Sequence, residues 1–118
     1  MQKNSVNKVL LVGHLGGDPE GRYTSSGRAT TTFSLATNET WKKEGGEQEN
    51  HTEWHHVVVW DRLADFAQEY LYKGQLISLE GRLHTRFWKD NEKNKHKVVE
   101  IICSNITPLE WRSPDKKV

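Results

Sequence analysis

At 118 residues the chain is long enough for one domain with a single modest core. Only 34% of residues are hydrophobic and 28% are charged, and no apolar run approaches the roughly eighteen residues a transmembrane helix needs; the start, MQKNSVNK, also lacks the apolar stretch of a signal peptide. The net charge of +1 excludes a strongly basic balance, so any argument for a polyanionic partner has to come from local charge.

Residues 9–12 (VLLV) read as an apolar strand, running into Gly13, Gly16, Gly17 and Asp18-Pro19, which are turn or bulge signals. GRYTSSGRA reads as a turn with its flanks. Residues 30–41, TTTFSLATNETW, are rich in β-branched and aromatic side chains and read as a second strand. KKEGGEQENHT is polar around Gly45-Gly46 and predicts a hairpin loop; EWHHVVVW is a third strand. In DRLADFAQEYLYKG, the residues Leu63, Phe66, Ala67, Tyr70 and Leu71 fall on one helix face, with Asp61 able to cap the start and Gly74 to end it. QLISLEGRLHTRFW is a long fourth strand with a bend or bulge at Gly81, KDNEKNKH a second polar loop, and KVVEIIC a fifth strand. SNITPLEWRSPDKKV starts as a short extension and ends as loose chain. Cys103, the one cysteine, permits no intramolecular disulfide, fits a reducing compartment, and reads as a small buried apolar residue near a strand end.

Strand, strand, strand, helix, strand, strand is the order of a mainly all-β, five-stranded OB-fold barrel with one helix between strands three and four and long hairpin loops. The domain is expected over residues 1–110, with 111–118 as the start of a C-terminal tail.

Alternation along strands then sorts the side chains. Trp54, His56, Val58 and Trp60 share one face of the third strand, and Glu53, His55, Val57 and Val59 the other. On the fourth strand Arg82, His84, Arg86 and Trp88 share a face opposite Leu79, Leu83 and Phe87, which are expected to carry the core. Tryptophans interleaved with arginines suit unpaired nucleic-acid bases: each exposed base face can stack on a ring, for roughly 1–3 kcal/mol, with cations beside it for phosphate. Trp41 stands at the mouth of the first polar loop with Lys42 and Lys43, placed for bases or backbone. The alternative is that the tryptophans are core or interface anchors. Trp111, near Pro108, reads as packing.

The histidines do not make a metal site. His55 and His56 point to opposite faces of a strand, and His51 and His55 would stand about 13 Å apart at strand rise. GHLGGDPEG lacks the lysine and hydroxyl of a phosphate loop and the spacing of a dinucleotide fingerprint. No cofactor or metal is expected, and no catalytic residues are identified.

The segments VNKVLLVGHLGGDPEGRYTSSG, FSLATNETW, TEWHHVVVW, LADFAQEYLYKG and LEGRLHTRFW resemble the bacterial and mitochondrial single-stranded DNA-binding proteins, in order and at family spacing, from Val6 to about Leu109. The resemblance implies an OB-fold subunit of a homotetramer that coats single-stranded DNA in replication, repair and recombination. It places Trp41, Trp54, Trp60 and Trp88 on base-stacking positions, the third commonly Phe in the family. Lys8, Arg62, Lys73 and Arg86 fall on basic positions along the DNA path, to which the faces above add Lys43 and Arg82. His55 matches a histidine associated with the subunit interface, and the first strand, with Val9 and Leu11, is where two subunits are expected to pair edge to edge. His56 stands where the family commonly has Arg, which predicts weaker or more pH-dependent binding. The resemblance also implies the bacterial cytoplasm rather than the mitochondrial matrix, and no membrane partner. Bacterial members usually continue into an acidic tail that recruits replication and repair proteins; SPDKKV is basic, so such partners are expected only with an acidic tail beyond this chain. The rivals are an OB-fold RNA binder or replication-restart accessory, a small metal-dependent hydrolase, and a purely structural oligomer.

Overall fold

The computed structural model describes residues 2–111. The order is β1 (Val9–Leu15), β2 (Glu20–Tyr23), β3 (Ala29–Lys42), β4 (Gln48–Trp60), α1 (Asp61–Tyr70), β5 (Leu76–Lys89) and β6 (Lys95–Pro108). The strands hydrogen-bond in the order β1-β5-β6-β4-β3-β2, and the sheet closes where β1 meets β3 at His14↔Ala36 and Leu15↔Leu35. Five strands thus form a barrel of OB-fold order. The sixth, β2, is a short hairpin partner of β3 within GRYTSSGRA, whose composition reads as a turn.

The barrel fills from the inward side of each strand: Leu15 from β1, Phe33 and Leu35 from β3, Val57 and Val59 from β4, Ile77 and Leu79 from β5, and Ile101, Cys103 and Ile106 from β6. Helix α1 closes one end with Ala64 and Ala67, small enough for close approach. The buried Thr31 hydroxyl donates to the Ala64 carbonyl at 2.9 Å, so the polar group under the helix is satisfied.

Several boundaries move. The stretch read as a polar loop is mostly ladder: β3 and β4 stay paired from Thr30↔Trp60 out to Lys42↔Gln48. The β5–β6 pairing likewise runs from Ile77↔Pro108 to Lys89↔Lys95, so the fifth strand continues through the segment taken as a short extension. The irregularity at Gly81 is present, and the unpaired extra residue is Ser104 on β6, between Asn105 opposite Glu80 and Cys103 opposite Gly81. A Cβ at Gly81 would run into the Ile102 carbonyl oxygen, which is why a glycine stands there. Beyond Gly81 the strands leave the barrel as a two-stranded ribbon. Leu83 and Phe87 keep the predicted parity but have no core behind them and are exposed, contrary to expectation.

Asp61 does not cap α1. It is the first helical residue, with φ of 59°, and Trp60 holds the cap position without a side-chain cap bond. Gly74 does not end the helix either; α1 stops at Tyr70, and Gly74, at φ 86°, shapes the turn into β5 and donates to the Leu15 carbonyl.

In β1 the side chains of Val9 and Leu11 turn inward against the core, and Leu10 and Val12 project outward. Val9 and Leu11, which the resemblance associates with the subunit contact, are partly buried against the chain's own core. The backbone of residues 9–13 remains an open edge, because β1 reaches β3 only at residues 14 and 15. Past the barrel rim, Asn7 stands in for a strand partner: its amide donates to the Leu83 carbonyl at 2.8 Å and accepts from the Leu83 N–H at 2.9 Å.

Candidate nucleic-acid interface

The outer face of the barrel carries the predicted row. Cross-strand pairing sets Trp54 opposite Ala36, His56 opposite Ser34, Val58 opposite Thr32 and Trp60 opposite Thr30. Small side chains on β3 therefore leave the aromatic row standing proud. β6 runs parallel to β4 at Val58↔Ile102, which joins this row to the even-numbered face of the β5–β6 ribbon and so to His84, Arg86 and Trp88. A groove of about 480 Å³ runs along the junction, lined by Arg22, Thr32, His56, Trp60, Arg86 and Glu100 among others.

Trp54 is 60% exposed, Trp88 46% and Trp41 43%, so these rings are neither core nor covered within the chain. Trp60 is half-buried. Trp54 rests on Gly16: a Cβ there would lie 2.5 Å from ring atom Cζ3 and 2.7 Å from Ser34 Oγ. Trp41 pairs with Glu49 across the hairpin, donates from Nε1 to Glu49 Oε2 at 3.1 Å, and leans against His51. By alternation it stands on the opposite side of the β3–β4 ribbon from Trp54, a separation the sequence reading did not draw.

The predicted cations are differently placed. Arg86 Nε lies 3.5 Å from Glu100 Oε1, and His56 Nε2 3.8 Å from Glu100 Oε2. Glu100 is buried, so one carboxylate beneath the face holds both basic groups at the groove. Lys43 pairs with Glu49 at 3.8 Å near Trp41, and Lys8 with Glu80 at 3.6 Å. Lys8 and Arg82 line a second depression with Val6, Asn7 and Glu80; Arg82 pairs with Ile102, which in turn pairs with Val58, so it lies on the same face next along from His84. Arg62, on the first turn of α1, and Lys73, in the turn before β5, are exposed. Glu100, Arg22 and Arg28 were not singled out in the sequence. Only parity on β6 could have flagged Glu100, and nothing local reveals that Arg28 sits over Trp60, 4.6 Å from the ring centroid.

His51 Nε2 donates to Glu53 Oε1 at 3.0 Å, and that bond raises the His51 pKa above the ordinary 6.5 while holding Glu53 below the usual carboxylate value. His55, half-buried on the opposite side from Trp54, bonds Thr37 Oγ1 at 2.9 Å. His96 pairs with Asp90 at 2.8 Å. His51, His55 and His56 are thus engaged separately, with Glu53, Thr37 and Glu100 in turn. Burial pushes the Cys103 thiol up to about 11, so at neutral pH it is a protonated core group, as expected. Trp111 packs edge-on against Phe66 and Tyr70, also as expected; residues 112–118, the basic end, lie outside the described residues.

A profile of the Single-strand binding protein family matches residues 6–109. The chain belongs to this family. Among family relatives, it is 47% identical over 105 residues to Single-stranded DNA-binding protein 1 of Chlorobaculum tepidum, an alignment covering 88% of this chain and 65% of that protein. The structure of a Plasmodium falciparum SSB in complex with ssDNA superposes with a TM-score of 0.81 at 35% identity, over 93% of this chain and all of that one. A deletion mutant of the Thermus aquaticus single-stranded DNA binding protein superposes at 0.78 and 36% identity, over 91% of this chain and 52% of the other. The chain therefore spans about two thirds of the Chlorobaculum relative and about half of the Thermus one.

Proposed function

We propose that this chain is a non-catalytic, sequence-tolerant single-stranded DNA-binding protein that coats and protects strand during replication, recombination and repair, acting as a homotetramer. The observation that carries the proposal is the continuous outer face on which Trp54, His56 and Trp60 of β4 adjoin Arg86 and Trp88 of β5, exposed rings alternating with basic groups. Every base has a flat face that can stack on indole, so such a surface binds without reading sequence. A strand that uses Trp41 as well as Trp54 has to pass around the β3–β4 ribbon, which favours wrapping over a straight track. Names and complexes of the relatives support the same reading. Recruitment of replication and repair proteins would require an acidic tail beyond these residues.

The test is a titration of oligo-dT followed by tryptophan fluorescence at two salt concentrations. Strong quenching, and weaker binding at the higher salt as phosphate contacts release counterions, are expected. Absence of quenching at low salt, with Trp54→Ala and Trp88→Ala both binding like the parent, would overturn the proposal. Sedimentation of the free protein tests the tetramer.

A further inference from the structure

Three of the four candidate stacking tryptophans have a planar, nitrogen-bearing group beside the ring, stacked in one case and tilted in another. His96 lies nearly parallel to Trp88, centroids 4.3 Å apart and planes 20° apart. His51 leans on Trp41 at 5.7 Å and 32°. The Arg28 guanidinium carbon sits 4.6 Å from the centroid of Trp60. Each backing group is gripped in turn by a carboxylate. Asp90 Oδ2 is 2.8 Å from His96 Nε2, and Glu53 Oε1 is 3.0 Å from His51 Nε2. Arg28 donates two bonds to Asp61, from Nε at 3.2 Å and from Nη2 at 2.9 Å.

The same construction therefore recurs on separate parts of the chain: the β5–β6 ribbon, the β3–β4 ribbon, and the junction of the β2–β3 turn with α1. Ordinary cross-strand pairing accounts for Trp88 opposite His96. Arg28 and His51 reach their rings as diagonal neighbours, two residues from Thr30 opposite Trp60 and from Glu49 opposite Trp41. Pairing does not, however, require a carboxylate behind each backing group. An exposed indole with two open faces is free to rotate and loses that freedom when a base lands on it. An indole held against a clamped plane has lost it already and offers one open face, so less ordering remains to oppose binding. Imidazole and guanidinium planes also stack favourably on the indole face themselves.

Resting on the single-stranded DNA reading above, we propose that Arg28, His51 and His96 form a second layer of the nucleic-acid interface, each closing one face of a tryptophan so that the ring is pre-oriented to take a single base on the other. The backing groups also sit at the rim of each stack, where a neighbouring base or phosphate can reach them.

The experiment measures oligo-dT affinity by tryptophan fluorescence, with thermal melts alongside, for His51→Ala, His96→Ala, His96→Phe and Arg28→Lys in the whole chain. His51→Ala and His96→Ala should each weaken binding about three- to tenfold with little change in melting. Arg28→Lys keeps the charge beside Asp61 but loses the plane, and should weaken binding to a similar degree. His96→Phe keeps a flat ring and should recover most of the affinity that His96→Ala loses. The inference is overturned if the two alanine variants bind as tightly as the parent, or more tightly, while Trp54→Ala and Trp88→Ala weaken binding. A parent protein that fails to quench with oligo-dT would instead defeat the DNA-binding reading beneath it.

Discussion

At the scale of single residues, the proposed site includes what stands behind each ring as well as the ring. Gly16 is the clearest instance, because the space a side chain would need is filled by Trp54 and Ser34 Oγ. Gly16→Ala should therefore tilt Trp54 off the outer face, weakening oligo-dT binding several-fold and lowering stability by about 1–3 kcal/mol, the usual range for overpacking; a urea melt and a fluorescence titration measure the two effects. His56 offers the opposite change. It faces the groove beside Glu100 and Arg86, at a position with no fixed charge. His56→Arg should tighten oligo-dT binding and steepen the dependence of log affinity on log salt by roughly one contact's worth, read from titrations over a salt series; an unchanged slope would mean that this side chain does not meet phosphate. Much of this row was legible in the sequence, since period-two alternation needs only the strand assignment to divide Trp54, His56 and Trp60 from His55 and Val57. Glu100, Arg28 and the backing role of His96 were not, because each acquires its meaning from a partner on another strand or turn.

At the scale of elements, composition misled where both sides of a strand pair face water. The segment from Lys42 to Thr52 is polar because its hairpin has left the barrel, yet its ladder continues to Lys42↔Gln48. Polarity alone does not distinguish a loop from a wet ribbon. The same cause exposed Leu83 and Phe87, whose parity was right and whose core was missing. The tip of the β5–β6 ribbon is held by Asp90, which bonds His96 and accepts from the N–H groups of Glu92 at 2.9 Å and Asn94 at 3.0 Å. The His96 bond first, and the backbone donors after it, hold the Asp90 carboxyl below its ordinary 3.8. A carboxylate with a depressed folded value contributes stability in full above the unfolded value, and that contribution is lost as pH falls through the folded one. The ribbon tip should therefore be firm at pH 5 and above and loosen below about pH 4, together with the Trp88–His96 stack. Amide exchange or Trp88 fluorescence across pH 2–6 measures this, and Asp90→Asn should flatten the profile; a parent profile already flat over that range would remove Asp90 as the clasp.

At the scale of the whole molecule, the chain is more extended than a compact one of its length. Its radius of gyration is 17.0 Å, where a compact chain of this length would have about 13 Å. Two ribbons reach out of the barrel, and the β5–β6 one carries exposed Leu83, Phe87 and Val99, while the outer face of β1 exposes Leu10 and Val12 beside an open backbone edge. Exposed apolar side chains next to an unpaired strand edge are what a partner subunit covers. If the proposed tetramer forms through β1, Leu10→Glu with Val12→Glu should break it into smaller species in sedimentation while each subunit keeps its barrel, judged by far-UV circular dichroism. Val9→Ala and Leu11→Ala should behave in the reverse way. Those side chains pack inward, so their loss should cost on the order of 1–3 kcal/mol of stability and leave the mode of association intact. The contrast separates a surface that assembles subunits from one that folds them. The double glutamate variant also reaches the DNA reading, because a strand that wraps needs several subunits' ribbons around it. Oligo-dT long enough to span an assembled parent should then bind the variant more weakly, and a short oligomer that occupies one subunit should lose far less. Equal losses for both lengths would place β1's outer face in the DNA contact itself rather than in the assembly.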